Sequence, residues 1–422
     1  MRTGSLTSRR APGPEAAPSG AAGSAPPVRR GLFARLGSAL AVVAVSLIVP
    51  LLVLEAGLRL FAPQTTAVNV SEWDPSYGWR NRPGARGFFR TPEFNMQVRI
   101  NSLGLRGDET TVDKPPGTFR LLGLGDSFAF GHGVAVESCF VSVAGRTLDE
   151  RSRAARGPRV EFLNAGVGKW GTAAELLYLE REGLMFAPDA VVLAFCVDND
   201  FENNADGNVL RLVEDRLVPV ENPEPTMRKA QSVTRRIPGY EFLAQNSHLV
   251  NFLRVRASVL EARGIQARAR PTAAGDSAAA DSATAPGPNW EQRRLPVTLM
   301  LMDSLAVRTR AAGTGLLVLF VPSRWQTVPE ARWGGRMFQD PRPHAAMVEQ
   351  VIAHLDSLGV PVVYPVRELS EAGRERELYF EEQHLNDAGS RIVAEALVEG
   401  LAAAGLVPGA RAAADSLPAT SK

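Results

Sequence analysis

The sequence contains few cysteines, lysines and histidines. Its 422 residues include only two cysteines, Cys139 and Cys196, and no Cys-x-x-Cys pair or Cys/His cluster occurs, which argues against a structural zinc site. We expect two buried free thiols in preference to a disulfide. Only four positions are lysine, arginine carries the remaining positive charge, and the net charge is +2. This balance gives no indication of a nucleic-acid partner.

Three stretches have almost no large apolar side chains. Residues 1–33, 264–290 and 409–422 consist mainly of Ala, Gly, Pro, Ser and charged residues. Such segments cannot bury enough surface to offset the entropy lost on ordering. We therefore expect disorder in all three, with 264–290 forming the low-complexity part of a longer insertion at 204–294.

One long hydrophobic run contrasts with these stretches. Residues 36–54 carry no charge, and as a helix they would extend about 28 Å, close to the thickness of a bilayer's hydrocarbon core. We predict a transmembrane anchor over 34–60. Arginines dominate before the run and acids after it, so the positive-inside rule predicts a cytoplasmic N-terminus and a periplasmic or extracellular remainder of the chain. A cleaved signal peptide is the alternative.

Short apolar segments alternate with helical patterns across 113–408. The segments are 119–125, 160–166, 188–197, 314–322 and 360–365. Apolar strands separated by helices predict a parallel sheet covered on both faces. The sequence thus predicts an α/β domain, a three-layer α/β/α sandwich with a five-stranded parallel sheet, preceded by a lead-in at 61–112 that packs on it.

Polar residues follow these strands at the sheet edge where ligands bind in such folds. Asp126 and Ser127 follow the first strand, a glycine-rich turn at 164–172 follows the second, and Asn199 follows the third. His384 precedes the last helix. A hydroxyl nucleophile, an imidazole base and fixed N–H donors are what acyl transfer requires.

These four segments resemble the four sequence blocks of the SGNH, or GDSL-type, hydrolases, in the same chain order. "GDSF" contains Ser127, "NAGVGKWGT" is similar to the glycine block, "NDF" to the asparagine block and "EEQHLNDAG" to the last block. The earlier segments "DPSYGWRNRPG" and "INSLGLRG" are similar to those of membrane-anchored bacterial members. The resemblance implies a flavodoxin-like fold, Ser127 as nucleophile, His384 as base, oxyanion donors at Gly168 or Lys169 and Asn199, and neither metal nor cofactor.

Two positions differ from the family pattern. The last block usually carries Asp two or three residues before the histidine, whereas this chain has Glu382 and Glu381, and either could orient His384. The block-two glycine falls at Lys169. Either Gly168 takes its role, or Lys169 donates its backbone N–H with the side chain directed away, or its charge attracts an anionic substrate.

Alternative roles are open for several of these residues. Ser127 could be a helix N-cap, and Asn199 could be a turn residue. His132, five residues after Ser127, is a rival base. We expect His132, Asp126 and Asp200 to line the site.

The combined prediction is a membrane-anchored serine ester hydrolase that acts through an acyl-serine intermediate. Its expected substrates are O-acyl groups, chiefly O-acetyl groups, of carbohydrate outside the cytoplasm, an expectation that rests on the resemblance and the compartment. An O-acetyltransferase of the same fold and a non-catalytic carbohydrate-binding or assembly protein are the alternatives. The expected partners are the membrane and the ester substrate, without nucleic acid, and the oligomeric state is open.

Overall fold

The computed structural model describes residues 30–207, 209–214, 216–220, 236–257, 290–328 and 341–408. Most of the three stretches predicted to be disordered, 1–33, 264–290 and 409–422, lies outside the described residues, whereas residues 30–33 and 290 are helical. The chain divides into two units, one that ends at Leu54 and one that begins at Glu55.

Helix α1 (Arg30–Phe61) contains the hydrophobic run. Its residues Arg35–Phe61 include an 18-residue window of mean hydropathy 2.6, and residues 35–54 are exposed. By length and composition this helix could cross a membrane or serve as a signal sequence.

The second unit is built around a five-stranded parallel sheet. Its strands are β6 (Thr118–Gly125), β7 (Arg159–Asn164), β8 (Ala190–Cys196), β11 (Gly315–Val321) and β12 (Val362–Val363). They lie in the order β12-β11-β8-β6-β7. Numbered along the chain, that order is 2-1-3-4-5, the flavodoxin-like arrangement. The predicted α/β fold with five parallel strands is confirmed.

Helices cover both faces of this sheet. The helices of this unit are α2 (Ser127–Phe130), α3 (Phe140–Ala154), α4 (Thr172–Arg181), α5 (Asp200–Asp206), α6 (Tyr240–Asn246), α7 (248–257), α8 (Trp290–Ala311), α9 (Arg324–Thr327), α10 (Pro341–Ser357), α11 (Val366–Ala372) and α12 (Asp387–Ala403). Helices α4, α8 and α10 pack on one face with Leu122 and Leu124, and α3, α11 and α12 pack on the other with Leu121. Successive strand residues point to opposite faces, so nearly every residue of β6, β8 and β11 is buried.

The lead-in before this sheet forms two small antiparallel sheets. Its strands are β1 (Thr66–Ala67), β2 (Ser71–Asp74), β3 (Gly78–Asn81), β4 (Arg86–Arg90) and β5 (Asn95–Arg99), paired as β1-β4-β5 and β2-β3. Val68, Met96, Val98 and Ile100 form a separate apolar cluster that includes Phe130 of α2. The lead-in thus packs directly behind the first turn after β6.

The described part of the predicted insertion contains the hairpin β9 (Leu210–Val213) and β10 (Arg216–Pro219) followed by α6 and α7. Helix α6 contacts the lead-in, where Arg82 Nη1 lies 3.0 Å from Glu241 Oε1. Both cysteines are buried free thiols, as the sequence predicts.

Candidate active site

Ser127 is the first residue of α2, directly after β6. Gly125 has φ +154°, and a Cβ there would lie 2.6 Å from Ala129 Cβ, so the tight exit from the strand requires glycine. The helix cap is Asp126, whose Oδ1 accepts from the Phe128 backbone N–H at 2.8 Å. The Ser127 hydroxyl is therefore available for another partner.

That partner is His384, which lies 257 residues later along the chain. Its Nε2 is 2.8 Å from Ser127 Oγ. The histidine is held in a tight turn, in which Phe380 N–H donates to His384 O at 2.8 Å and Gln383 has φ +80°. The Phe128 ring lies 4.8 Å from the imidazole and limits its movement on one side.

Of the two neighbouring glutamates, Glu382 contacts the imidazole. Its Oε1 lies 3.3 Å from His384 Nδ1. Partial burial favours the neutral acid, but the contacts with the imidazoles of His132 and His384 outweigh it and lower the pKa of Glu382 to about 2. The Glu381 side chain is exposed, and its backbone N–H donates to Glu93 of the lead-in at 2.8 Å.

His132 contacts the same oxygen of Glu382, with its Nε2 3.4 Å from Oε1, and its ring lies next to that of His384, with centroids 4.7 Å apart. Its ring packs edge-on against Phe89 and Phe94, with centroids 4.7 and 5.5 Å away. The imidazole that is hydrogen-bonded to Ser127 Oγ is that of His384. His132 is therefore a neighbour of the acid, and its role in lining the site stays a prediction.

The glycine-rich turn passes beside the serine. A Cβ at Gly168 would lie 3.9 Å from Ser127 Cβ. Lys169 has φ +78°, the backbone conformation of a glycine, and its Nζ lies 4.7 Å from the Trp79 ring centroid. Its side chain is thus held by a cation–π contact with the lead-in, as expected if its backbone N–H faces the site.

Asn199, in the loop after β8, contacts the residue that precedes the serine. Its Nδ2 donates to Asp126 Oδ2 at 3.1 Å, and its Oδ1 is buried without a hydrogen-bond partner among the described residues. Asp200, which we expected to line the site, is fully buried and accepts from the Cys196 N–H at 2.7 Å. Asp200 is the first residue of α5, and its side chain is buried beside Asp126 and Glu175.

Asp126 and Asp200, which the sequence indicated, form a cluster of buried acids with Glu175, which sequence reasoning missed. Asp126, Glu175 and Asp200 are all fully buried. Burial, followed by the charge of the neighbouring carboxylates, raises the pKa of Glu175 and Asp200 well above the usual range, and burial also raises that of Asp126. Both Glu175 oxygens are without a hydrogen-bond partner in the described chain. Glu175 lies in an otherwise apolar helical pattern, the one signal in the sequence that could have identified it.

The lead-in also positions the loop that carries His132. Buried Arg106 donates to the carbonyls of Phe130, Gly131 and Val134, at 2.5 Å to Gly131 and 2.6 Å to Val134. Burial lowers the pKa of Arg106 to about 10. This arginine belongs to the segment "INSLGLRG". The sequence indicated only that this segment is similar to those of membrane-anchored proteins; the structure shows that its arginine binds the loop that carries His132.

No protein-family model matches the sequence, and the search of curated proteins found no significant match. Solved structures are similar over about two thirds of this chain. TesA is 14% identical, with a TM-score of 0.36, over 68% of this chain and 99% of its own. The acetylxylan esterase Axe2 from Geobacillus stearothermophilus is 12% identical, with a TM-score of 0.36, over 67% and 94%.

A protein from Desulfitobacterium hafniense DCB-2, described as a putative lipolytic protein of the G-D-S-L family, is 11% identical, with a TM-score of 0.34, over 67% of this chain and 99% of its own.

Proposed function

We propose that this protein is a membrane-anchored serine ester hydrolase that acts through an acyl-serine intermediate on O-acyl groups of carbohydrate outside the cytoplasm. The observation that carries the proposal is the alignment of Ser127 Oγ, the two nitrogens of His384 and the Glu382 carboxylate, at 2.8 and 3.3 Å. A hydroxyl, an imidazole and a carboxylate in this sequence constitute a nucleophile, its base and the group that orients the base.

Acylation begins when His384 Nε2 accepts the Ser127 hydroxyl proton as Oγ attacks the ester carbonyl carbon. The negative Glu382 carboxylate stabilises the imidazolium that forms. The oxyanion is stabilised by the N–H groups of the glycine-rich turn at Gly168 and Lys169 and by the Asn199 amide. Collapse breaks the ester C–O bond, and the imidazolium returns its proton to the leaving alkoxide.

Deacylation uses the same groups in reverse. A water molecule gives its proton to His384 Nε2 and attacks the acyl carbon, and the second tetrahedral intermediate expels Ser127, which regains a proton from the imidazolium. The products are the free acid and the enzyme. The proposal of an O-acetylated carbohydrate substrate depends on the predicted location of the domain. The charges that flank α1 predict that this domain lies outside the cytoplasm, where acylated glycans are ester substrates.

The test measures hydrolysis of p-nitrophenyl acetate by the full-length chain in detergent micelles. Ser127→Ala and His384→Ala should each lower kcat/KM at least about 1,000-fold, because either change removes the acyl-serine route. Ser102→Ala is the matched control: Ser102 Oγ is also hydrogen-bonded, to Glu109 Oε2 at 2.6 Å, but that partner is a carboxylate and the pair lies in the lead-in. Its kcat/KM should stay within about twofold of wild type.

A fluorophosphonate probe gives a second readout that needs no substrate. We expect intact-mass spectrometry to find one adduct on the wild type and on Ser102→Ala, and none on Ser127→Ala. Equal hydrolysis and equal labelling in all variants would refute the enzyme proposal and favour a binding protein. Transfer of acetyl to an added oligosaccharide faster than to water would identify a transferase.

A further inference from the structure

Three side chains at the site place their ligand atoms around a common point. They are His132, Glu382 and His384, whose candidate donor atoms all lie within 4.8 Å of one another. Glu382 Oε1 is central, 3.4 Å from His132 Nε2 and 3.3 Å from His384 Nδ1. The residues come from segments some 250 positions apart, so no local ligand spacing marks them in the sequence.

The two separations are longer than a strong hydrogen bond and close to the distance between two ligands of one zinc ion. A charge-assisted N–H···O bond is about 2.7–2.9 Å long, and His384 Nδ1 makes no hydrogen bond of acceptable geometry within the described chain. Two ligands about 2.0–2.1 Å from a tetrahedral Zn²⁺ ion are about 3.3–3.5 Å from each other. Both observed separations match or approach that distance.

We propose that His132, Glu382 and His384 form a Zn²⁺-binding site that competes with catalysis. Two imidazole nitrogens and one carboxylate oxygen are ligands that zinc prefers, whereas magnesium and calcium prefer oxygen-only sets. Three protein ligands leave a fourth position for water, as in other zinc sites that are open to solvent. All three side chains are partly exposed, at 18, 33 and 20%, which leaves a path for the ion.

The surroundings hold the two imidazoles in place for this role. Phe89 and Phe94 pack against His132, and Phe128 packs against His384. The two imidazole centroids are 4.7 Å apart, and the candidate ligand nitrogens of both rings lie within 4.8 Å of each other. An apolar shell of this kind strengthens coordination because it limits competing water.

Zinc binding would suppress the base, a consequence that rests on the proposed function. The ion takes the lone pair of His384 Nδ1, so the single ring proton must reside on Nε2. That nitrogen then donates to Ser127 Oγ and has no lone pair to accept the hydroxyl proton. The tautomeric shift moves one proton within the ring, and removal of zinc by a chelator reverses it.

Binding is tested apart from activity, on full-length Ser127→Ala in detergent micelles titrated calorimetrically with Zn²⁺. We expect one ion per chain. His132→Asn and Glu382→Gln, each made in this background, should weaken binding at least about tenfold. Loading with Co²⁺ should give the visible absorption of a four-coordinate ion, and that absorption should be lost in both variants.

The control is His354→Asn, because His354 Nε2 lies 2.7 Å from Asp303 Oδ1 in another histidine–carboxylate pair on α10 and α8. Zinc binding should be unchanged there. Binding that persists in folded His132→Asn and Glu382→Gln, or no binding in Ser127→Ala, would overturn the proposal. In wild type, saturating Zn²⁺ should lower p-nitrophenyl acetate turnover at least about tenfold, and in His132→Asn the ratio of rates with and without zinc should approach one.

Discussion

Glu381 and Glu382 are identical in chemistry and adjacent in sequence, yet they contact different parts of the structure. Glu382 Oε1 contacts the imidazoles of both His132 and His384, whereas the exposed Glu381 donates its backbone N–H to Glu93 Oε1. Gln383, with φ +80°, forms the turn between Glu382 and His384. The sequence narrowed the orienting acid to two positions, and backbone geometry distinguishes them.

We predict that Glu382→Gln lowers kcat/KM at least about tenfold, because the neutral amide cannot stabilise the imidazolium. Glu381→Gln should leave kcat/KM within about twofold of wild type, and it serves as a control matched in chemistry and position. Steady-state hydrolysis of p-nitrophenyl acetate measures both. An equal loss in the two variants, or a larger loss in Glu381→Gln, would contradict the assignment of Glu382.

At the scale of the element, the turn after β7 shows two glycines with different physical requirements. A Cβ at Gly166 would lie 2.3 Å from the Phe130 backbone nitrogen, so this residue permits close packing of the turn on α2. At Gly168 the one nearby atom is Ser127 Cβ at 3.9 Å, an ordinary contact distance. The first glycine supports the fold, and the second keeps space beside the nucleophile.

Gly166→Ala should therefore cost about 1–3 kcal/mol of unfolding free energy, because backbone atoms must move to admit the methyl group. Gly168→Ala should change unfolding free energy by less than about 0.5 kcal/mol but lower kcat, since its methyl group occupies space next to the developing oxyanion. Urea denaturation and hydrolysis rates, measured on both full-length variants, separate the two roles. The distinction would be contradicted if Gly166→Ala were as stable as wild type. It would also be contradicted if Gly168→Ala kept the wild-type kcat.

The sheet and the residues that lie at the carboxyl ends of its strands were the most predictable features of this protein. Alternation of apolar strands and helices was sufficient to predict the sheet, and the rule that ligands bind at carboxyl ends predicted that Ser127 and His384 lie at one edge. Side-chain direction was not predictable, because it depends on contacts between distant segments. Lys169 faces Trp79, Asp200 points into the core, and His132 meets Glu382 for that reason.

At the scale of the whole molecule, three carboxyl groups are buried near the carboxyl edge of the sheet, where no solvent stabilises their charged form. Asp126 follows β6, Glu175 lies on α4 and Asp200 begins α5, and all three are fully buried. Glu175 makes no compensating hydrogen bond within the described chain. An uncompensated carboxylate at such a depth is unfavourable, so Glu175 holds its proton in the folded state.

A proton held in this way makes the stability of the entire fold depend on pH. The pKa of Glu175 is raised well above 4.5 in the folded chain, so above about pH 4.5 the unfolded chain loses this proton while the folded chain keeps it. The folded state then binds more protons, and its stability falls as pH rises, by about 1.4 kcal/mol per pH unit for one such group. The loss ends when pH exceeds the folded pKa.

Glu175→Gln removes this titration, so the variant should gain unfolding free energy relative to wild type as pH rises from 5 to 7. Urea denaturation of the full-length chain at several pH values measures the difference. Glu180→Gln is the control on the same helix, since Glu180 is exposed and pairs with Arg308 at 2.5 Å. The unfolding free energy of this variant should not rise relative to wild type between pH 5 and 7. A constant difference between Glu175→Gln and wild type across this range would show that Glu175 is already ionised in the folded protein, and the buried acids would then need a cation or water to stabilise them.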